Sequence, residues 1–202
     1  MAYNATLVAV SKTKPVTDIE EMLTHGQMVF GENYVQELLG KHQALGDKPQ
    51  WRFIGNLQTN KVKSLVPFIK LIHGVDSYKL LHGVSRRSVE LGRQTDVLIQ
   101  VHIAQEETKA GLDYVELAAL METIHSNPLP AVRIRGLMGM ATYTDDTRAV
   151  GKEFKGLKKM FDDLRQSAGA EFDTLSMGMS GDYKIALDEG SKVGVAIYTN
   201  QR

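Results

Sequence analysis

Cysteine is absent from the 202-residue chain. That excludes disulfides and thiolate metal sites, and it fits a reducing cytoplasm. Net charge is absent too: 24 Lys and Arg balance 24 Asp and Glu. The chain therefore carries no electrostatic footprint for non-specific nucleic-acid or anionic-membrane binding. No apolar run approaches the roughly 18 residues of a membrane span. Met1 leads almost directly into the first strand-like run, so no signal peptide is expected. The six histidines (His25, His42, His73, His82, His102, His125) show neither HExxH nor HxH spacing, and no metal site is expected. His42, His82 and His125 fall within helical patterns and read as surface or satisfied residues. No Pro/Ser linker or low-complexity stretch divides the chain. Residues 1–202 read as one domain, long enough to bury a sizeable core.

What is there is alternation. Strand-like runs occur at Leu7–Lys12, Met28–Gly31, Trp51–Gly55, Leu71–Val75, Asp96–Ala104, Val132–Met140, Thr174–Met177 and Lys192–Tyr198. Helical periods lie between them. Thr17-Asp18-Ile19-Glu20 reads as a capping box opening a helix with Ile19, Met22 and Leu23 on one face. Val35, Leu38 and Leu39 mark the second helix, and the third, from about Gln58 to Val66, is short. Asp113 caps a later helix whose buried face is Leu117, Leu120, Met121 and Ile124. Val150, Phe154, Leu157, Phe161 and Leu164 mark the longest. Eight strands, each but the last followed by a helical segment, predict a single α/β barrel of the (β/α)8 TIM type; a doubly wound open sheet is the alternative.

The chemistry starts at Lys12. It ends the apolar run Leu7-Val8-Ala9-Val10-Ser11-Lys12, on the same strand face as Val8 and Val10. If that face lines a barrel, Lys12 is an amine at the carboxyl end of the barrel, suited to a Schiff base with an aldehyde. A lysine that snorkels to solvent at a strand end is the plainer alternative. In such barrels phosphate sits at the loops after strands seven and eight. The seventh unit here carries Met177-Gly178-Met179-Ser180-Gly181-Asp182, where glycines permit close approach and Ser180 offers a hydroxyl. Gly194 and Val195 on the eighth could add backbone amides. Asn33 and Asn56, at the ends of strands two and three, are placed to meet a ligand, although Asn33 is also a good helix N-cap. The methionines of Gly136–Met140 read as core filler. A lysine facing a phosphate cradle describes a covalently bound phosphorylated aldehyde, and pyridoxal 5′-phosphate (PLP) fits.

Five ordered segments carry a family resemblance: LVAVSKTKP (7–15), FGENYVQE (30–37), FIGNLQTNK (53–61), IRGLMGMAT (134–142) and LSMGMSGDY (175–183). They resemble the signature segments of the pyridoxal phosphate homeostasis protein family, whose barrel is that of the alanine racemase N-terminal domain. The resemblance implies a cytoplasmic protein that holds PLP as an internal aldimine on Lys12, the first lysine of SKTK. It implies a role in vitamin B6 and amino-acid balance, without robust turnover. The partners implied are PLP and PLP-dependent apo-enzymes. Phosphate contacts fall on Ser180 and the backbone around Gly194 and Val195, and Asn33 and Met179 fall in segments that approach the cofactor.

The chain also departs from that pattern. About three residues are missing before strand eight, and on the simplest alignment the arginine that faces the pyridine nitrogen is replaced by Lys192. Asn56 stands where many relatives carry histidine. The helix that usually precedes strand one is missing, as is the racemase C-terminal β domain. The expectation is a partly uncovered barrel wall, covered by a partner chain or trimmed from a longer protein. Two other functions compete with a non-catalytic carrier. A racemase-class PLP enzyme needs a second base, for which Tyr34, Tyr143, Tyr183 and Tyr198 are available but unmarked. A Schiff-base aldolase needs an acid beside the lysine, and Glu32 is its one candidate.

Overall fold

The computed structural model describes residues 5–197. Its elements follow in strict alternation: β1 (Thr6–Val10), α1 (Val16–Thr24), β2 (Val29–Glu32), α2 (Val35–Leu45) and β3 (Gln50–Phe53). A 3-10 turn (Thr59–Lys61) then runs into α3 (Val62–Leu65), followed by β4 (Leu71–Val75), α4 (Tyr78–Glu90), β5 (Thr95–His102) and α5 (Tyr114–Ser126). The chain finishes with β6 (Val132–Met140), α6 (Thr147–Ala168), β7 (Thr174–Met177), α7 (Tyr183–Asp188) and β8 (Val193–Ile197). Tyr198 lies outside the described residues.

All neighbouring strands pair in parallel, and β8 pairs with β1 as well as β7, which closes the sheet. Closure excludes the doubly wound alternative, since an open sheet leaves two unpaired edges. The apolar runs predict the strands well because a strand buried on both faces is continuously apolar; β4, β6 and β7 coincide with theirs. β1 is the informative exception. It ends at Val10, two residues short of Lys12, so the lysine belongs to the turn beyond the ladder.

Two packed regions result. Between sheet and helices lies the main core, where Phe154, Leu157 and Phe161 of α6 and Leu117 and Leu120 of α5 meet the outward residues of the strands, among them Val97, Ile99, Leu137 and Leu175. Inside the barrel is a smaller cluster of Leu71, Leu98 and Met138, with Met140 against it. β6 carries a register shift against β5. There Gly136, at φ +150°, passes so close to β7 that a Cβ would overlap the Thr174 carbonyl oxygen.

The helix ends correct one expectation and confirm another. The N-cap of α1 is Pro15, extended at φ −68° and ψ 162° with no side-chain cap, and Thr17 lies inside the first turn. The Pro15 carbonyl already accepts the Asp18 amide, so the helix starts before Thr17 can cap it. Asp113 does cap α5, in a reciprocal box with Glu116. On the outer side of β1, Leu7 is 51% exposed.

Phe154 is fully buried on the longest helix. Phe154→Ala should cost about 3–5 kcal/mol in urea unfolding, transfer and cavity costs together. Asp113→Ala, which removes a surface cap, should cost about 1 kcal/mol.

Candidate functional site

At the carboxyl ends of the strands a cavity of about 280 Å³ opens, near the lower limit of ligand pockets. Lys12 lies on its lining. Beyond β1 the Ser11 amide still donates to the Gly31 carbonyl (3.1 Å), and the Lys14 amide then folds back onto the Ser11 carbonyl (3.0 Å). Thr13 at the apex has φ +62°, a left-handed conformation costing a non-glycine residue about 1–2 kcal/mol. The Thr13 amide donates to Glu37 Oε1 at 2.5 Å. The result is an inward Lys12.

Asn33 after β2 and Met179, Ser180 and Gly181 after β7 reach the same cavity, and Val195 reaches it from β8. Gly178 makes the β7 loop possible. Its φ is +89°, and a Cβ there would sit 2.4 Å from the Ala186 Cβ of α7. The Met179 amide donates to Asp182 Oδ1, and Asp182 precedes α7 as its N-cap residue. Five of the eight predicted site residues thus converge.

Three do not. Asn56 is exposed and lies off the cavity. Gly194 pairs with Leu7 in the ladder and does not line it either. The amide of Val195 is engaged by the Gly178 carbonyl at 3.2 Å, so Val195 offers the cavity a side chain instead of the expected donor. Lys192 is the clearest correction. It is exposed at the opposite, amino-terminal end of the barrel, in a cleft with Asp96, Arg135 and Asp173. The register Thr6↔Val193 and Val8↔Val195 turns Val193 and Val195 inward. Ser191 explains this: its hydroxyl sits at hydrogen-bond distance from Leu175, Met177 and Val193 backbone atoms, which pins the start of β8. Lys192 precedes β8 at the amino-terminal end of the barrel, so the length of the strand separates it from the cavity whichever face its side chain takes.

Glu32, the one acid available to an aldolase, points away from the cavity. It is fully buried behind β1, where Ser11 Oγ donates to Oε1 at 2.6 Å and Lys41 Nζ at 2.7 Å. Burial raises its pKa against those bonds. No carboxylate lines the cavity among the described residues, so the aldolase reading loses its acid.

The residue that sequence reasoning missed is His73. It shares the inward face of β4 with Leu71, is 1% exposed, and lies on the cavity lining. Its Nδ1 stands 3.1 Å from Ser176 Oγ across the barrel, while Nε2 is buried with no partner. Burial first, and the nearby Arg52 guanidinium second, push its pKa down to about 3. Arg52 faces inward from β3, and burial alone brings it down to about 10. Asn33 Oδ1 is likewise buried and unpartnered. The alternation of Leu71-Ile72-His73 was the available signal; the partner, 103 residues away, was not legible.

A histidine whose folded pKa lies below its unfolded value costs stability as pH falls, because the unfolded chain takes up the proton first. Stability should therefore decline from about pH 7 toward pH 3 in part through His73. His73→Asn should flatten that slope in denaturant titrations at pH 7, 5 and 4, and an unchanged slope would contradict the buried neutral state.

No group of three or more His, Cys, Asp or Glu among the described residues is arranged to hold a metal. No helix among the described residues is long and apolar enough to cross a membrane. The family model described as alanine racemase, N-terminal domain, matches residues 1–201. The pyridoxal phosphate homeostasis protein of Aquifex aeolicus is 39% identical over 190 residues, covering 94% of this chain and 82% of the relative. That of Bos taurus is 38% identical over 212 residues, covering 98% and 77%. The solved structure of PipY from Synechococcus elongatus PCC7942 with PLP bound superposes with a TM-score of 0.88 at 34% identity, covering 98% of this chain and 92% of that one. Clostridium difficile alanine racemase, at 14% identity and a TM-score of 0.73, shares the barrel. With a closed barrel, a lysine inside its mouth and relatives at this level along nearly all of its length, the chain belongs to the pyridoxal phosphate homeostasis protein family.

Proposed function

We propose that this chain holds pyridoxal 5′-phosphate in the cavity, covalently through Lys12. We further propose that it serves cytoplasmic vitamin B6 and amino-acid homeostasis as a carrier without robust turnover, delivering PLP to apo-enzymes. The observation that carries the reading is the convergence of Lys12 with the Gly178–Gly181 loop and Ser180 on one small cavity. The residues present fit the group. The walls, from Ile54, Met138 and Met140, suit a flat ring, and the unpartnered Asn33 Oδ1 and His73 Nε2 offer polar contacts to its edge. The PLP-bound relative supports the same cofactor.

When bound, PLP supplies an aldehyde carbon that forms a carbon–nitrogen double bond with an amine, with loss of water. The chain's own groups do the rest. Lys12 Nζ provides the amine. Ser180 and the loop around it hold the phosphate, the hydroxyl as one charge-assisted donor. Ile54 and the methionines exclude water from the ring. His73, buried and neutral, can bond a ring atom without delivering a proton to it. With no carboxylate on the lining among the described residues, none of them favours a protonated ring nitrogen, the state in which the ring best draws electrons.

Tyr34, Tyr143 and Tyr183 are exposed and lie off the cavity, so none stands ready as the second base of a racemase.

The purified chain should show a visible absorbance band that Lys12→Ala abolishes and Lys14→Ala leaves; the reverse pattern would refute the assignment. Ser180→Ala should weaken PLP binding by about 1.5–3 kcal/mol, the scale of a hydrogen bond to a charged group, and an unchanged affinity would remove Ser180 from the phosphate site. Alanine incubated with the loaded protein in deuterium oxide should keep its α-hydrogen. Rapid Lys12-dependent exchange would instead favour a racemase-class enzyme.

A further inference from the structure

The Ser-Lys-Thr-Lys segment offers two lysines two residues apart, which an extended chain would place on the same face. The structure separates them. Lys12 lines the cavity, whereas Lys14 lies in an outer groove between β1 and α1 with Asp18 and Ile19. The separation is made at Thr13, by its φ of +62°.

What holds this turn is a buried ion cluster behind it. Lys41 of α2 is 5% exposed, and its ammonium makes three contacts: Glu32 Oε1 at 2.7 Å, Glu37 Oε1 at 2.7 Å and the Ser11 carbonyl at 2.5 Å. An ammonium has three donors, so Lys41 is fully satisfied. Glu32 also accepts the Ser11 hydroxyl at 2.6 Å, and Glu37 accepts the Thr13 amide at 2.5 Å. The residue before Lys12 and the residue after it are therefore both gripped from α2 and β2.

As a stabilising device such a cluster is weak, because desolvating the charges offsets most of their attraction. Its geometric consequence is specific. It fixes the carbonyl and hydroxyl of Ser11 and the strained amide of Thr13, and those leave one direction for the lysine between them. We infer that the Glu32–Lys41–Glu37 cluster selects Lys12 over Lys14 as the reactive amine, with Glu37 and Lys41 as positioning residues. The inference rests on the reading of Lys12 as the PLP-bearing lysine.

Two measurements on the full chain and its Glu37→Ala, Glu37→Gln and Lys41→Met variants test it. In the PLP-loaded protein, borohydride reduction followed by peptide mass mapping gives the fraction of bound PLP attached to Lys12 and to Lys14. In the PLP-free protein, reductive methylation with formaldehyde and cyanoborohydride gives the ratio of labelling at Lys12 to that at Lys14. Glu37→Ala should lower the Lys12-attached fraction of bound PLP at least fivefold and move the methylation ratio at least threefold toward one. Glu37→Gln should change each by less than twofold, because its amide oxygen still accepts the Thr13 amide. Lys41→Met should behave like Glu37→Ala; if it does not fold, Glu37→Ala carries the test, since the Glu37 side chain is 25% exposed and tolerates truncation. Unchanged values in Glu37→Ala, or an equal change at lysines throughout the chain, would overturn the inference. If the wild-type chain binds no PLP, the carrier reading fails, and the methylation ratio still decides whether the cluster aims Lys12.

Discussion

Closure of the eight-strand sheet is the constraint on which the rest depends. Once β8 pairs with β1, every strand is locked to two neighbours, and each strand residue faces either the barrel or the helices, with no freedom to slip by one. Residues distant in sequence then become neighbours by parity alone. Val10, His73, Ser176 and Val195 meet in this way at one end of the barrel interior, where the turn after β1 brings Lys12. Arg52, Leu71, Lys192 and Val193 border a polar cleft at the other end.

The same parity gives the cavity its chemical character. Its walls are largely aliphatic and thioether, its amine is that of Lys12, and its buried histidine is kept neutral by burial and Arg52. Glu32, next in sequence to Asn33 of the lining, lies on the other face of the sheet, paired with Lys41. The proposed carrier role rests on this arrangement: an amine that can capture an aldehyde, apolar walls that shield it, and no carboxylate on the lining among the described residues.

Much of this was legible in the sequence, for a physical reason. Parallel strands buried on both faces are continuous apolar runs, and the runs at 71–75, 132–140 and 174–177 coincide with strands to the residue. Lys12, Asn33 and Ser180 were legible because strand ends in such barrels meet at one face. What was not legible depended on register or on partners far along the chain. Lys192 was misassigned because it precedes β8, at the end of the barrel opposite the cavity. Thr17 was misread as a cap because the Pro15 carbonyl starts the helix sooner. His73 acquires its role from Ser176 and Arg52, and the Glu32–Lys41–Glu37 cluster spans a strand and a helix with no motif of its own.

The central claim is that one amine, Lys12 Nζ, holds the cofactor. Peptide mapping of the protein as isolated, after a single borohydride reduction, tests it most directly. The account predicts a phosphopyridoxyl mass on the peptide containing Lys12 and on no other lysine. A label spread over surface lysines, or a label confined to Lys14, would contradict it.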